Sequence, residues 1–492
     1  MLLTANTEGA TGFFQPVLFV IGILLVALAA SMSAPAIVDV ASGTANVWVF
    51  PASAGITLFA GGGMVLTNMS PHFNLSIRQT FAMTTLIWLV LTMFGSLPFV
   101  LGELRMSFTD AFFESMSGIT TTGSTVITGL DQVSPGLLLW RAILQWLGGL
   151  GIIVMSISVL PMLRVGGMQM FKVEAFETGE KALPRAAQIS AGITSIFIVL
   201  TVVWAIALWL AGMTGLEAVT HAMTTIATGG YSTSDESIGH FNSATIEAII
   251  TVGMIIGGIP FMLILVSVRG QISRLLRDSQ VHWYLSIMLF AMVAVGVWLI
   301  ITQGLGPLRA IRYSTFAVAS IMTGTGYASA DYTLWGMFPI ILLFFLTFVG
   351  GCAGSTACGI KVFRFQVLFS TTFVELKKII YPHGIFIPHF NNRPIADEVV
   401  SSVLSYFFIF SICFITLTLA LDWVGLDFIT AISSAATAMS NVGPGVGPIV
   451  GPSGTFQSLP DAAKWMLAFG MLVGRLEVFT VMVLFSRFFW SD

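Results

Sequence analysis

An all-α integral membrane protein is the fold class this sequence predicts, and three observations predict it. Of 492 residues, 56% are hydrophobic and 9% charged, with a mean hydropathy of +0.93. A water-soluble domain carries about a quarter charged residues. Apolar runs of about 20 residues, the length that crosses a bilayer core, recur along the chain. Between them one short theme appears in four places: Thr120-Thr121-Thr122-Gly123-Ser124-Thr125, Ala227-Thr228-Gly229-Gly230-Tyr231-Ser232, Thr323-Gly324-Thr325-Gly326-Tyr327-Ala328 and Ser440-Asn441-Val442-Gly443-Pro444-Gly445. The net charge of −3 provides no basic surface for nucleic acid.

Ten runs are long enough to span. The first, Phe14 to Ile37, ends in small residues (Ala30, Ser31, Ser33, Ala34) that mimic a leader-peptide cleavage site. No Lys or Arg precedes it, so it reads as a retained helix. Val47 to Asn68 is the second. Four pairs follow: Thr80 to Leu101 with Gly136 to Leu160, Ile189 to Ala211 with Thr245 to Val268, Val281 to Ile301 with Leu334 to Val349 and its continuation, and Val399 to Leu421 with Ala463 to Phe485. Inside each pair lies a segment too short to cross: Phe108 to Ile119, Glu217 to Ile226, Leu308 to Met322 and Asp427 to Met439. That is the length of a re-entrant half-helix. The chain thus divides into a two-helix segment, 1–73, and four helix–loop–helix repeats, 74–165, 166–272, 273–380 and 381–492.

Charge sets the orientation. Arg78, Arg164, Lys172, Lys181, Arg185, Arg269, Arg274, Arg277, Lys361, Arg364, Lys377, Lys378, Arg393 and Arg487 fall on one side. Arg105, Arg309, Arg312 and Lys464 fall on the other, with Arg141 near a span end. The positive-inside rule makes the first side cytoplasmic, with both termini inside and the four loops opening outward. The outer segments collect Glu103, Asp110, Asp131, Glu217, Asp235, Glu236, Asp331, Asp427 and Asp461. Acidic walls around a pore mouth would concentrate cations; ordinary solvated loop charge is the competing reading for any one of them.

A break in helix at membrane depth frees N–H and C=O groups, which survive only inside protein or beside a watery cavity. Carbonyls gathered there can replace the water shell of a monovalent cation. The residues before each loop glycine are the expected donors: Thr121 and Thr122, Ala227 and Thr228, Gly324 and Thr325, Asn441 and Val442. Gly123, Gly229, Gly326 and Gly443 would give the chain its carbonyl-inward shape. The half-helices would aim their partly negative C-terminal ends at the same axis.

Thr323-Gly324-Thr325-Gly326-Tyr327 is similar to the potassium-channel signature loop. With the other three loops, it makes the whole chain resemble the Trk/Ktr/HKT superfamily of potassium transporters, most closely its TrkH-type bacterial uptake subunits. Two further motifs support the resemblance. Gly350-Gly351-Cys352-Ala353-Gly354-Ser355-Thr356-Ala357-Cys358-Gly359-Ile360-Lys361 interrupts a span with small residues, and the resemblance implies a gate loop beneath the filter there, involving Gly350, Gly351, Gly354, Ser355, Thr356, Gly359 and Lys361. The family usually has glycines where this chain has Ala357 and Cys358. Gly474-Arg475-Leu476-Glu477 places an arginine deep in the last span, where the resemblance implies a positive charge, Arg475, on the path below the filter; an interhelical ion pair is the structural alternative.

The resemblance further implies K+ as the transported ion, held at Thr121, Thr122, Ala227, Thr228, Gly324, Thr325, Asn441 and Val442. It implies a homodimer in the lipid of a bacterial inner membrane and a cytosolic nucleotide-binding partner of the TrkA type, docking on the basic stretches Arg164 to Arg185 and Lys361 to Arg393. Relatives with serine in the first loop tend to admit Na+, so Gly123 favours K+. No phosphate-binding glycine fingerprint follows a strand, so nucleotide control is expected from the partner. Two other classes compete. A coupled transporter calls for ionisable residues at mid-membrane, where Arg475 and Glu477 stand out. An intramembrane enzyme calls for paired acids, a Ser/His pair or metal ligands. Cys352, Cys358, Cys413, His221, His383 and His389 form no convincing set, so no catalytic activity is expected.

Overall fold

The computed structural model describes residues 10–69, 76–158, 166–168, 182–391 and 393–490. It is built almost wholly of helices, with one two-stranded ribbon among the described residues, His389–Phe390 paired with Arg393–Pro394. Among the described residues, seven helices are long and apolar enough to cross a membrane: Phe13–Ala41, Val49–Asn68, Ile77–Leu101, Pro135–Ser156, Gln188–Leu210, Ser279–Gln303 and Asp397–Trp423. Two bent pairs, Ala244–Gly257 with Phe261–Val268 and Asp461–Arg475 with Val478–Phe485, bring the count to nine.

Three expected spans depart from straight helices. Thr245 to Val268 turns through 100° where Gly257, Gly258 and Pro260 interrupt it. The groups this break frees are satisfied by another part of the chain: Phe261 donates its amide to Gly354 O (2.9 Å), and Gly258 O accepts from the Cys352 amide (3.0 Å). Ala463 to Phe485 turns through 115° around Glu477, whose φ is 63°. Leu334 to Val349 is α-helical only over Met337–Phe348, 12 residues, or about 18 Å against a core of about 30 Å. The chain then leaves helix and resumes it at Val362–Ile380.

Burial is inverted relative to a water-soluble protein. The long helices turn apolar side chains outward, with Phe59 85%, Ile301 77% and Leu210 75% exposed. The buried middle is rich in Ser and Thr instead. It is filled by four short helices, Phe108–Ile119, Gly215–Ile226, Pro307–Thr323 and Phe428–Ser440. Each has a start signal legible in the sequence. Ser107 accepts from the Asp110 amide (3.1 Å); Thr214 and Glu217 form a capping box; Pro307 occupies the first turn; Asp427 accepts from the Thr430 amide (3.2 Å). Such caps are worth about 1 kcal/mol each. The Asp427 carboxyl lies below the usual carboxylate range because the Thr430 hydroxyl and amide bond to it.

The half-helices pack in cyclic order. Phe108–Ile119 lies against Pro135–Ser158 and Asp461–Arg475. Gly215–Ile226 contacts Ala182–Leu210 and again Pro135–Ser158. Pro307–Thr323 contacts Ser279–Gln303 and Ala244–Gly257, and Phe428–Ser440 contacts Asp397–Trp423 and Met337–Phe348. Each therefore touches a helix on either side, and the circle closes.

Candidate functional site: a ring of four loops

All four half-helices end in the same way, which aligns their loops residue by residue. The residue past each last turn is left-handed: Thr121 (φ 53°), Thr228 (50°), Gly324 (77°) and Asn441 (51°). Their amides reach back three residues, to Gly118 O (2.9 Å), Thr225 O (3.0 Å), Ile321 O (3.0 Å) and Ala438 O (3.4 Å). In three loops the next amide reaches back five: Thr122 to Ser117 O (2.9 Å), Gly229 to Thr224 O (2.8 Å), and Val442 to Thr437 O (3.0 Å). This is the Schellman ending, which satisfies the last carbonyls and turns the chain sharply. A threonine held left-handed costs about 1–2 kcal/mol, strain of the kind concentrated at functional sites.

This register corrects one sequence expectation. The second triplet is Thr228-Gly229-Gly230, one residue later than Ala227-Thr228-Gly229. Gly230 (φ 79°) matches Gly123 (φ 85°) and Gly326 (φ 80°), whereas Ala227 is still helical (φ −75°) and its carbonyl accepts from the Thr228 hydroxyl (2.8 Å). Adjacent glycines in Ala227-Thr228-Gly229-Gly230 leave the register open in sequence.

The loops close into a ring. A Cβ added to Gly123 would lie 2.3 Å from Gly229 O, and one on Gly230 1.8 Å from Thr325 O. On Gly326 it would lie 2.8 Å from Gly443 N, and on Gly443 3.0 Å from Gly123 O. Each seam also carries hydrogen bonds. Tyr231 donates to Glu114 O (2.8 Å), and the Tyr327 and Thr224 hydroxyls are 2.5 Å apart. Tyr332 donates to Gly445 O (2.8 Å), Asn441 Nδ2 to Thr122 Oγ1 (3.0 Å) and Ser124 to Gly443 O (2.9 Å). Thr121, Thr122, Ala227, Thr228 and Thr325 are fully buried, and Asn441 and Val442 nearly so.

Above the ring opens a cavity of about 230 Å³, lined by Gly123, Gly230, Gly326 and Gly443 among others. Of the nine acidic residues collected in the outer segments, Asp235 alone lines it. Several of the rest have structural partners: Asp110 pairs with Lys464 (2.6 Å), Glu103 accepts from the Ser134 amide (2.6 Å), and Asp331 from that of Thr333 (2.9 Å).

Directly against the half-helix C-termini lies the 350–359 stretch. Cys358 donates its amide to Thr323 O (3.3 Å) and Gly359 to Ser440 O (2.9 Å); the Thr356 hydroxyl donates to Ile226 O (3.0 Å). Its two ends are pinched together, Gly350 N to Ile360 O (2.9 Å) and Ile360 N to Phe348 O (3.0 Å). A Cβ on Gly350 would strike Cys358 O at 1.8 Å, and one on Gly351 would lie 2.6 Å from Ala357 Cβ. Gly354 (φ 77°) and Gly359 (φ 72°) are left-handed, and Ser355 bonds within the loop to Cys352 O (2.6 Å). Arg475 Nη1 donates to Thr356 O (3.2 Å) and Cys358 Sγ (2.9 Å), and Lys361 Nζ donates to Ala357 O. A cavity of about 20 Å³ is lined jointly by this loop and by Asn441, Arg475 and Glu477. Glu477 pairs with Arg364 (2.5 Å), so the buried ion pair at the last helix break does not use Arg475. Nε and Nη2 of Arg475 have no partner among the described residues.

The family model described as "TrkH: Cation transport protein" matches residues 49–492. The chain belongs to the TrkH family. It is 43% identical over 482 residues to the Trk system potassium uptake protein TrkI of Halomonas elongata, covering 97% of both chains. It is 34% identical to TrkH of Escherichia coli, covering 97% of this chain and all of that one. The crystal structure of the potassium transporter TrkH from Vibrio parahaemolyticus superposes with a TM-score of 0.90 at 33% identity, over 97% of this chain and 100% of that one. These relatives carry the names of transport proteins, not of enzymes.

Within this TrkH-family chain, sequence reading missed the side chains behind the ring. Glu114 and Arg141, both buried, pair at 2.8 Å. Arg141 also donates to Ser232 O (2.9 Å) and Thr125 Oγ1 (3.2 Å) and lies over the Tyr231 ring at 4.0 Å. Gln145, one turn along, is equally buried. A glutamate in the first half-helix and an arginine in the next span were the available signal, since charges at membrane depth rarely stand unpaired. His221 is a packing residue, bonded to Glu217 O (2.8 Å) and Ser232 Oγ (3.0 Å). Arg164, Lys172 and Lys181 of the expected docking stretch lie outside the described residues.

Proposed function

We propose that this chain takes up K+ across a bacterial inner membrane through a backbone-carbonyl filter formed by the four loops. The observation that carries the reading is the closed ring of four half-helices, each ended by a left-handed residue and each loop glycine abutting the backbone of the next loop. Carbonyls of Thr121, Thr122, Thr228, Gly229, Gly324, Thr325, Asn441 and Val442 replace the ion's water shell. The C-terminal dipole ends of the half-helices add negative potential. A negative-inside potential drives entry with about 2.3 kcal/mol per charge per 100 mV. The names of the relatives support K+ as the ion.

The 350–359 loop acts as the gate. Its bonds to Thr323 O, Ser440 O and Ile226 O and the two from Arg475 must yield before an ion passes. At about 1 kcal/mol net for each neutral bond and about 1.5–3 kcal/mol for each from Arg475, that sum is within reach of a regulatory partner. In this reading the bent and interrupted helices complete ten spans in four repeats, with both termini cytoplasmic. The chain works as a homodimer, with a TrkA-type nucleotide-binding subunit on its cytoplasmic face. Growth of a bacterium lacking its own K+ uptake, on limiting K+, tests the function. Restored growth by the wild-type chain and none by a Gly326→Val variant is the expected result; equal growth of both overturns it.

A further inference from the structure

Gln145 sits where no side chain of Gly229 could. Its Nε2 donates to Gly229 O at 2.6 Å, and its Oε1 accepts from the Tyr231 amide at 3.0 Å. A Cβ built on Gly229 would lie 2.4 Å from the Gln145 carboxamide carbon and oxygen. The helix Pro135–Ser158 thus grips loop 2 with two side chains one turn apart, Arg141 on Ser232 O and Gln145 on residues 229 and 231. Residues four apart share a helix face, which is why one helix can supply both.

The grip is not repeated around the ring. Gly229 O and Thr325 O hold equivalent places, each beside the glycine of the preceding loop, at 2.3 Å and 1.8 Å from the respective added Cβ. Among the described residues, no side-chain donor is bonded to the carbonyls of Thr122, Thr325 or Val442. The four oxygens of this layer are therefore chemically unequal. We propose that Gln145 is a specificity-setting positioning residue: its amide fixes the Gly229 carbonyl and occupies one of its lone pairs, so this oxygen meets an ion with a weaker field than its three counterparts. The inference rests on the filter reading above.

Discrimination between monovalent cations depends on the number and field strength of the coordinating carbonyls. A stronger field favours the smaller ion, whose contact with the oxygen is closer. Releasing Gly229 O from Gln145 therefore shifts the layer toward Na+. Gly229→Ala acts by another route, since its methyl displaces the same carboxamide; φ at 229 is not left-handed, so the backbone accepts alanine. In Q145A/G229A the methyl enters vacated space.

Titrating K+ and Na+ into purified full-length protein by calorimetry tests this, with the thermal midpoint of each variant recorded alongside. Q145L and G229A are each expected to lower the K+/Na+ affinity ratio about fivefold, the factor matching one net hydrogen bond. Q145A/G229A is expected to show no further fall, because both changes remove one interaction. Ratios within about twofold of wild type in both single variants overturn the inference while leaving the filter reading intact. So does a fall in thermal midpoint with an unchanged ratio. A wild-type protein without K+ preference overturns the filter reading itself.

Discussion

Gly123→Ser is the perturbation that the ring makes most specific. The residue is left-handed at φ 85°, and its added Cβ would lie 2.3 Å from Gly229 O. Backbone strain alone amounts to about 1–2 kcal/mol for a side chain in this region. The contact is about 0.7 Å short of the 3.0 Å below which something must shift. The object struck is a backbone oxygen, not the end of a flexible side chain, so the seam between loops 1 and 2 must open. A carbonyl moved by that much no longer meets a dehydrated ion squarely. Losing about 1.4 kcal/mol of preference for K+ is a tenfold fall in discrimination. The assay is competition of rubidium uptake by K+ and by Na+ in proteoliposomes. Gly129→Ser is the control: Gly129 is equally left-handed (φ 73°) but has open space where the Cβ would go, so it carries the strain without the displaced carbonyl. Should G123S keep wild-type discrimination, or G129S lose as much as G123S, the reasoning from the added Cβ is refuted.

Other predictions concern the proposed gate loop, 350–359, and the helix break at Glu477. Arg475→Gln loses charge-assisted bonds to Thr356 O and Cys358 Sγ; at about 1.5–3 kcal/mol for such bonds, flux rises by about tenfold or more with K+/Na+ discrimination unchanged, read in the same liposomes. Cys358→Gly removes the Sγ contact and adds backbone freedom beside the left-handed Gly359 (φ 72°); single-channel open probability is expected to rise, and a fall would contradict the gate assignment. Arg364→Ala strands Glu477, which is 6% exposed, and should cost about 3–5 kcal/mol in thermal or denaturant unfolding, with R364A/E477A recovering part of it.

Much of this architecture was legible because it rests on local chemistry. The half-helices showed in the sequence as apolar segments too short to cross, each followed by a glycine-containing stop, and the structure places their starts at Ser107, Thr214, Pro307 and Asp427. What stayed hidden was set by contacts across the chain. Nothing local distinguishes Gly229 from Gly230; their register follows from the Thr228 turn and from Gln145, 84 residues away. The bends at Gly258 and Glu477 likewise depend on remote partners, the Cys352 amide and Arg364. A hydropathy window sees such segments as straight because their composition stays apolar. The outer acids could not be sorted from sequence: a count of charge does not tell Asp235, which lines the cavity beside the loops, from Asp110, which is paired with Lys464.

The most direct test of the central claim is rubidium uptake into proteoliposomes holding the purified protein, under a K+ gradient and a set voltage, with K+ and Na+ as competitors. The account predicts flux that follows the electrochemical gradient, is competed by K+ and poorly by Na+, and needs no H+ or Na+ gradient. Uphill uptake driven by an imposed H+ or Na+ gradient would contradict it and make the protein a symporter.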